Sequence, residues 1–323
     1  MDVSKIKIPE QVHINGVEFP LVLKPEIEST QDQAFEWLSN NQSTLRDLLL
    51  AHGAVLLRGF PILGAMDFER ALEEANFHNM PYVGGAAPRQ EVTQGRILTT
   101  NESPPSEPIP LHHEMAQVPN PPSYIFFYCD VPPTEGGSTV IMHSNYVYEQ
   151  FASDSPEFCA LLEEVGLRYI RVMPDQDDES SPIGRSWRST FQTDSRDIAE
   201  EKMKEAGMEW EWRSNGDLYT KTGVVPAIRQ DERTGMKTFF NSLVAAYTGW
   251  QDSRNEAKEA VCCGNNQPVD HIAVTSIASF MDREAVAFKW EKGDLLCIDN
   301  RLVLHAREPF KGPRRILASI ATH

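Results

Sequence analysis

The sequence lacks a hydrophobic run long enough to span a membrane, and it contains no C-x-x-C pair. Its first residues, MDVSKIKIPEQV, contain no apolar core of signal-peptide length. The cysteines form an odd set without a paired framework: Cys129, Cys159, Cys262, Cys263 and Cys297. These absences disfavour zinc-ribbon and thioredoxin chemistry, and they predict a cytoplasmic protein with reduced thiols.

Positive charge is also scarce. The chain has 30 lysines and arginines against 47 aspartates and glutamates, so its formal net charge is −17. Such a field repels phosphate backbones and anionic membrane surfaces. Nucleic acid and membrane partners are therefore disfavoured, whereas the composition does not predict the oligomeric state.

Two patterns of apolar residues divide the chain, which contains no internal repeat. Helical spacing occurs at 30–52 and 66–77, and again in insertions at 145–165, 196–207 and 268–284. Short apolar runs of strand length are found at 54–60, 123–131, 138–144, 167–173, 237–242, 293–300, 302–308 and 314–322. Many short strands without an alternating strand–helix rhythm predict a mainly β fold with α insertions, of the sandwich or barrel type.

The segment PLHHEMAQ at 110–117 contains two histidines and a glutamate in a stretch without helical periodicity. On an extended segment, residues two apart share a face, so His112 and Glu114 converge while His113 points away. A third candidate, His305, lies on another predicted strand. Two histidines and one carboxylate on one face of a metal leave open positions, as in the non-haem Fe(II) oxygenases.

A cationic side chain that could bind a carboxylate beside the metal is also predicted near this site. The segment 309–313, PFKGP, has the composition of a hairpin connection between the last two strands. A turn centred near Phe310 would place Arg315 opposite His305, where it could clamp a carboxylate, and a slip of one residue would substitute Arg314. Thr139, after two glycines at a strand start, could offer its hydroxyl to the same carboxylate.

These motifs occur in a recognisable order: His112-x-Glu114, then GGST ending at Thr139, then DNRLVLHAR with His305, then PRR with Arg315. The order resembles the taurine dioxygenase and clavaminate synthase-like family, and the segments YVGGAAPR, NESPP and FNSLVAAYTGW are also similar to its clavaminate synthase-like members. The resemblance extends over most of the chain.

The resemblance implies one oxygenase domain over 1–323 with a distorted double-stranded β-helix, or jelly roll, flanked by helices. Its N-terminal part would span about 1–80, its core about 95–323, and an insertion about 174–235. It further implies Fe(II) at His112, Glu114 and His305, 2-oxoglutarate at Arg315 and Thr139, and O2 as the oxidant. Ser319 stands where many relatives have a second arginine, four residues beyond the first.

The predicted activity is oxidation of a C–H bond in a small-molecule substrate, an amino acid or a derivative of one. Candidate substrate contacts are Asn101, Tyr82, Arg185, Arg188 and Asn241. The turn-rich segment 174–187 is expected to be a surface loop or a lid. Two alternatives stay open: a zinc hydrolase with the same three ligands, and a jelly-roll binding protein without catalysis.

Overall fold

The computed structural model describes residues 1–87, 89–100 and 103–322. These residues form nine α-helices: α1 Gln31–Asn40, α2 Gln42–His52, α3 Ala65–Glu74, α4 Ser144–Asp154, α5 Pro156–Val165, α6 Trp187–Phe191, α7 Arg196–Glu205, α8 Leu243–Gly249 and α9 His271–Glu284. They also form 22 strands: β1 Val3–Ile6, β2 Val12–Ile14, β3 Val17–Phe19, β4 Leu21–Pro25, β5 Ala54–Leu57, β6 His78–Asn79, β7 Leu98–Thr99, β8 Ile109–His112, β9 Tyr124–Val131, β10 Glu135–Gly136, β11 Thr139–His143, β12 Leu167–Met173, β13 Glu209–Trp212, β14 Leu218–Lys221, β15 Arg229–Gln230, β16 Lys237–Thr238, β17 Val261–Cys263, β18 Val286–Phe288, β19 Leu295–Asp299, β20 Val303–Arg307, β21 Phe310–Lys311 and β22 Arg315–Thr322.

The largest sheet has eight strands in the order β1-β4-β5-β19-β9-β22-β6, with β7 also paired to β22. Only β4 and β5 run parallel in this sheet; the other described pairs are antiparallel. Its central strand β9 is buried from Tyr124 to Cys129. Such a continuous apolar run is typical of a strand covered on both faces.

A four-stranded antiparallel sheet, in the order β18-β11-β20-β8, packs against the first. Alternate residues of its strands point to opposite sides. Ile141 and Val303 join the core shared with the large sheet, whereas Met142 and Leu304 join the core formed with the helices. This sheet contains three of the predicted site residues.

Helices cover the outer faces of both sheets. α1, α2 and α3 pack on the large sheet, while α4, α5, α8 and α9 pack on the small one. The predicted sheet-rich fold with helical insertions is confirmed. The helical stretches 30–52 and 145–165 are each two helices, because the chain bends at Asn41 and at Ser155 before Pro156.

The segment 174–235 contributes α6, α7, β13, β14 and β15. β13 and β14 extend a separate sheet in the order β13-β14-β12-β17, and Trp187 packs at the centre of a small cluster with Met203 and Leu218. Within the described ranges, no helix is both long and apolar enough to cross a bilayer.

Candidate metal centre

Three side chains from two neighbouring strands and the turn after one of them meet in a cavity. His305 in β20 pairs directly with His112 at the end of β8, and their ring centroids are 4.3 Å apart. Glu114 follows two residues later, and its Oε2 lies 3.5 Å from His305 Nε2. The candidate ligand atoms of the three residues all lie within 4.8 Å of one another. The structure therefore brings together the three metal ligands that were predicted from the sequence.

The chain turns sharply at Glu114 and is held there by a side chain that sequence reasoning missed. Met115 has a φ of 55°, a left-handed conformation that is unusual for a residue with a side chain. The fully buried Asn300 accepts a hydrogen bond from Glu114 N at 2.8 Å and donates to Glu114 O at 3.1 Å. A polar Asp-Asn pair after an apolar strand was the available signal. Asn300 thus fixes the backbone from which the carboxylate extends.

The two imidazoles present free nitrogens to the cavity. His112 Nδ1 donates to Pro110 O at 2.8 Å, which leaves its Nε2 unprotonated in the neutral ring. Burial, reinforced by the nearby His305, lowers the pKa of His112 to about 4, so the ring is neutral at physiological pH. His113 points the other way and is fully buried, with its ring nitrogens near Asn300 O and Ser144 Oγ.

A buried arginine, also missed from the sequence, contacts the carboxylate. Arg89 Nη2 lies 3.0 Å from both carboxylate oxygens of Glu114, and its guanidinium stacks over the ring of Tyr82 at 4.3 Å. Burial raises the pKa of Glu114, but opposing interactions, of which that with the guanidinium of Arg89 is the largest, hold the pKa below its ordinary value. Glu114 is therefore ionised.

This donor set fits a divalent cation. The 3.5 Å between His305 Nε2 and Glu114 Oε2 is too long for a good hydrogen bond, so the two groups converge without satisfying each other. His305 Nδ1 is also buried without a hydrogen-bond partner among the described residues. Two imidazoles and one carboxylate are the ligands of a facial triad.

The predicted hairpin register is wrong. β20 pairs with β11 and β8, whereas β22 pairs with β9 in the other sheet, so Arg315 does not stand opposite His305. The pairing of β22 with β9 is irregular between Arg315 and Ile316, and such a bulge re-aims the side chains beside it. Arg315 is about half exposed and pairs with Asp130.

Arg314, rather than Arg315, lies beside the three candidate metal ligands. It lines the cavity of His112, Glu114 and His305, and its Nε donates to Gly137 O at 2.9 Å. Burial, with the nearby Arg307, lowers the pKa of Arg314 to about 10, so it remains charged at neutral pH. Arg307 lines the same cavity, and its guanidinium donates to three backbone carbonyls, those of Ser103, Pro104 and Glu107.

Thr139 also lines this cavity. Its Oγ1 accepts a hydrogen bond from Trp290 Nε1 at 3.2 Å. Because Trp290 occupies an acceptor position, the hydroxyl proton of Thr139 stays available as a donor. Arg314 and Thr139 therefore line the same cavity with one charged and one neutral donor group.

Comparison with known proteins decides the family. The model of the taurine catabolism dioxygenase TauD, TfdA family matches residues 22–320. The chain belongs to this family. A clavaminate synthase-like protein of Arabidopsis thaliana is 46% identical over 319 residues, which cover 97% of this chain and 96% of that protein. The dapdiamide synthesis protein DdaC of Enterobacter agglomerans is 25% identical over 303 residues, covering 90% and 88%.

The fold matches solved structures of similar proteins. PvcB from Pseudomonas aeruginosa superimposes with a TM-score of 0.57 at 17% identity, over all of this chain and 91% of that one. Another PvcB structure is described as that of an Fe, alpha-ketoglutarate dependent oxygenase from an isonitrile synthetic pathway. Family membership confirms the predicted enzyme class, a dioxygenase that uses Fe(II), 2-oxoglutarate and O2.

Within this TauD-like chain, the family's second arginine is absent in either register. Counted from Arg314, the position four residues on is Ala318 rather than Ser319, and both residues are buried in β22. An anionic substrate group would need another cation. The sequence-predicted substrate contacts must therefore be judged by where the structure places them.

Of the predicted substrate contacts, only Tyr82 is a described residue that lines the metal cavity. Arg185 instead donates to the backbone carbonyls of Tyr82, Gly85 and Ser189, so it fixes the loop around Tyr82. Arg188 pairs with surface carboxylates, those of Asp175 and Asp194. Asn241 is buried, and its side chain bonds Ala227 O and Leu243 N. Asn101 lies outside the described residues.

Proposed function

We propose that this protein oxidises an unactivated C–H bond of an amino acid or an amino-acid-derived metabolite. The reaction would be a hydroxylation, or an oxidative cyclisation or desaturation, coupled to conversion of 2-oxoglutarate and O2 into succinate and CO2. The observation that carries the proposal is one cavity that contains His112, Glu114 and His305 together with Arg314. The amino-acid class draws support from the clavaminate synthase-like relative.

The division of labour follows from the side chains. His112, Glu114 and His305 would hold Fe(II), which supplies the one-electron and O2 chemistry that side chains lack. Arg314 and Thr139 would bind the distal carboxylate of 2-oxoglutarate, the arginine through charge-assisted hydrogen bonds. The lining residues Pro182 and Ile183, from the segment expected to be a loop or lid, help to exclude water from the cavity.

The proposal includes the finer points of architecture. The two packed sheets would be the faces of a distorted double-stranded β-helix, within one oxygenase domain over 1–323. A cytoplasmic location agrees with five free, buried cysteines in the described chain. Small molecules remain the predicted partners, because the net charge of −17 disfavours nucleic acid.

A zinc hydrolase built on the same ligands is the main alternative. Hydrolysis needs no dicarboxylate, so it gives no role to Arg314 and Thr139 beside the ligands. A binding protein without catalysis would have no use for three intact ligands. The measurement below separates the zinc hydrolase from the proposal.

The test is anaerobic addition of Fe(II) and 2-oxoglutarate, which should give the weak visible charge-transfer band of their chelate. Zn(II) should give none. His305→Ala should abolish the band because a ligand is lost, whereas His13→Ala, at an exposed histidine, should leave it unchanged. Absence of the band in the unaltered protein would reject the oxygenase proposal.

A further inference from the structure

A second, larger cavity adjoins the metal cavity. The two share three lining residues, Ala86, Gln117 and Trp250, so they are adjacent. The walls of the second cavity come from β12 and β14, from the stretch 222–226, and from α6 and α7 of the 174–235 segment. Most of this wall is apolar.

The two cavities differ in volume, and the difference bears on which part of a substrate each could hold. The metal cavity measures about 110 Å³, well below the roughly 300–1,000 Å³ typical of small-molecule sites, whereas the second measures about 510 Å³. A cavity of this size is too small to hold a metal, a dicarboxylate and a whole substrate together. The body of a substrate would therefore have to lie in an adjoining space, and the second cavity is large enough to hold it.

The charges around the second cavity are of one sign. Arg171, Lys202 and Arg229 line it, and no aspartate or glutamate does among the described lining residues. This is unusual in a chain with a net charge of −17. Arg171 is engaged with Ala86 O and Thr190 Oγ1, and Lys202 with Phe191 O.

Arg229 is the cation with donors to spare. Its guanidinium stacks on the ring of Phe240 at 4.4 Å, and its Nε is buried without a hydrogen-bond partner. No described residue forms an ion pair with it. The Arg229 side chain is partly buried, and its charge is not matched by a carboxylate among the described residues, so Arg229 is suited to an anion that the protein itself does not provide.

We propose that the second cavity binds the body of the substrate, and that this substrate is an apolar molecule with a carboxylate that pairs with Arg229. Its reacting end would pass Ala86, Gln117 and Trp250 to reach the metal centre. This inference rests on the proposed function, and it narrows the proposed amino-acid-derived class to apolar derivatives that keep a free carboxylate. Arg229 would also replace the second arginine that is absent from β22.

The test compares two ligands that differ only in charge, octanoate and octanamide, by isothermal titration calorimetry on protein loaded anaerobically with Fe(II) and 2-oxoglutarate. Octanoate should bind at least about tenfold more tightly, because only it can pair with Arg229. Excess 2-oxoglutarate should not displace it. Equal binding of the two ligands, or competition by 2-oxoglutarate, would overturn the proposal.

Variants locate the binding. Arg229→Met should remove the preference for the carboxylate, while Arg229→Lys should retain part of it. Lys202→Gln should weaken octanoate binding, and Lys204→Gln is its matched control, because it removes the same charge from the same helix at a residue that does not line the cavity. If Arg229→Met does not fold, the two lysine variants decide. An unchanged preference in Arg229→Met, or in Lys202→Gln where Arg229→Met does not fold, would reject the site.

The two proposals fail separately. A charge-transfer band without octanoate binding rejects only the second cavity as a carboxylate site. Octanoate binding to metal-free protein without any band rejects only the oxygenase function.

Discussion

The metal side and the arginine side of the cavity are built in different ways. His112 and His305 face each other as one register pair within the four-stranded sheet, so the ladder itself sets their separation. Arg314 stands where the chain leaves that sheet and enters the eight-stranded one, one residue before β22 begins. Strand pairing therefore fixes the positions of the two histidines, whereas the position of Arg314 depends on the path of the segment that connects the two sheets.

The largest expected effect comes from replacing Arg314, and the neighbouring Arg315 provides the control. Arg314→Ala should raise the 2-oxoglutarate requirement by about 30-fold or more, since truncating one partner of a buried charge pair costs about 2–5 kcal/mol. Arg315→Ala is the matched control and should change little, because Arg315 is half exposed and pairs with Asp130. Titration of the charge-transfer band with 2-oxoglutarate measures both. Equal effects of the two variants would contradict the structural assignment.

Sequence reasoning succeeded where the determinants are local. The short spacing of His112 and Glu114 predicted that the two side chains converge, and they do, although the strand ends at His112 and Glu114 lies in the turn that follows rather than in an extended segment. It failed for Arg315, because β22 pairs with β9 rather than β20 and carries a bulge at its start. Nothing in the spacing of PFKGP reveals that the chain changes sheets there.

The supporting residues were missed for a related reason. Arg89 and Asn300 lie 25 and 186 residues from Glu114 in the chain, and both contacts arise only from the tertiary fold. Arg185 was selected for its charge, yet it bonds backbone carbonyls. Charge alone does not distinguish an arginine that binds ligand from one that fixes a loop.

Arg89 allows a sharper test of the metal side. Arg89→Met leaves Glu114 buried without its cation, and losing one partner of a buried pair destabilises by about 3–5 kcal/mol. Bound Zn(II) would replace the missing charge, so the rise in Tm on adding Zn(II) should be larger in the variant than in the unaltered protein.

Arg185→Met is the control for that experiment. Arg185 also stacks on Tyr82, at 4.7 Å, but bonds carbonyls instead of Glu114. Its loss should lower Tm by a similar amount with and without Zn(II). If Arg89→Met behaves in the same way, Arg89 only supports the loop.

The smallest expected effect belongs to Thr139, on the strand that joins the two sides of the cavity. Thr139→Val removes the proposed hydrogen bond to the cosubstrate carboxylate. A hydrogen bond to a charged group is worth about 1.5 kcal/mol or more, so the 2-oxoglutarate requirement should rise about tenfold. Thr139→Ser, which keeps the hydroxyl, should restore it. If Thr139→Val raised the 2-oxoglutarate requirement as much as Arg314→Ala does, losing one hydroxyl donor could not explain the rise. Thr139 would then also be needed to hold Arg314 in place.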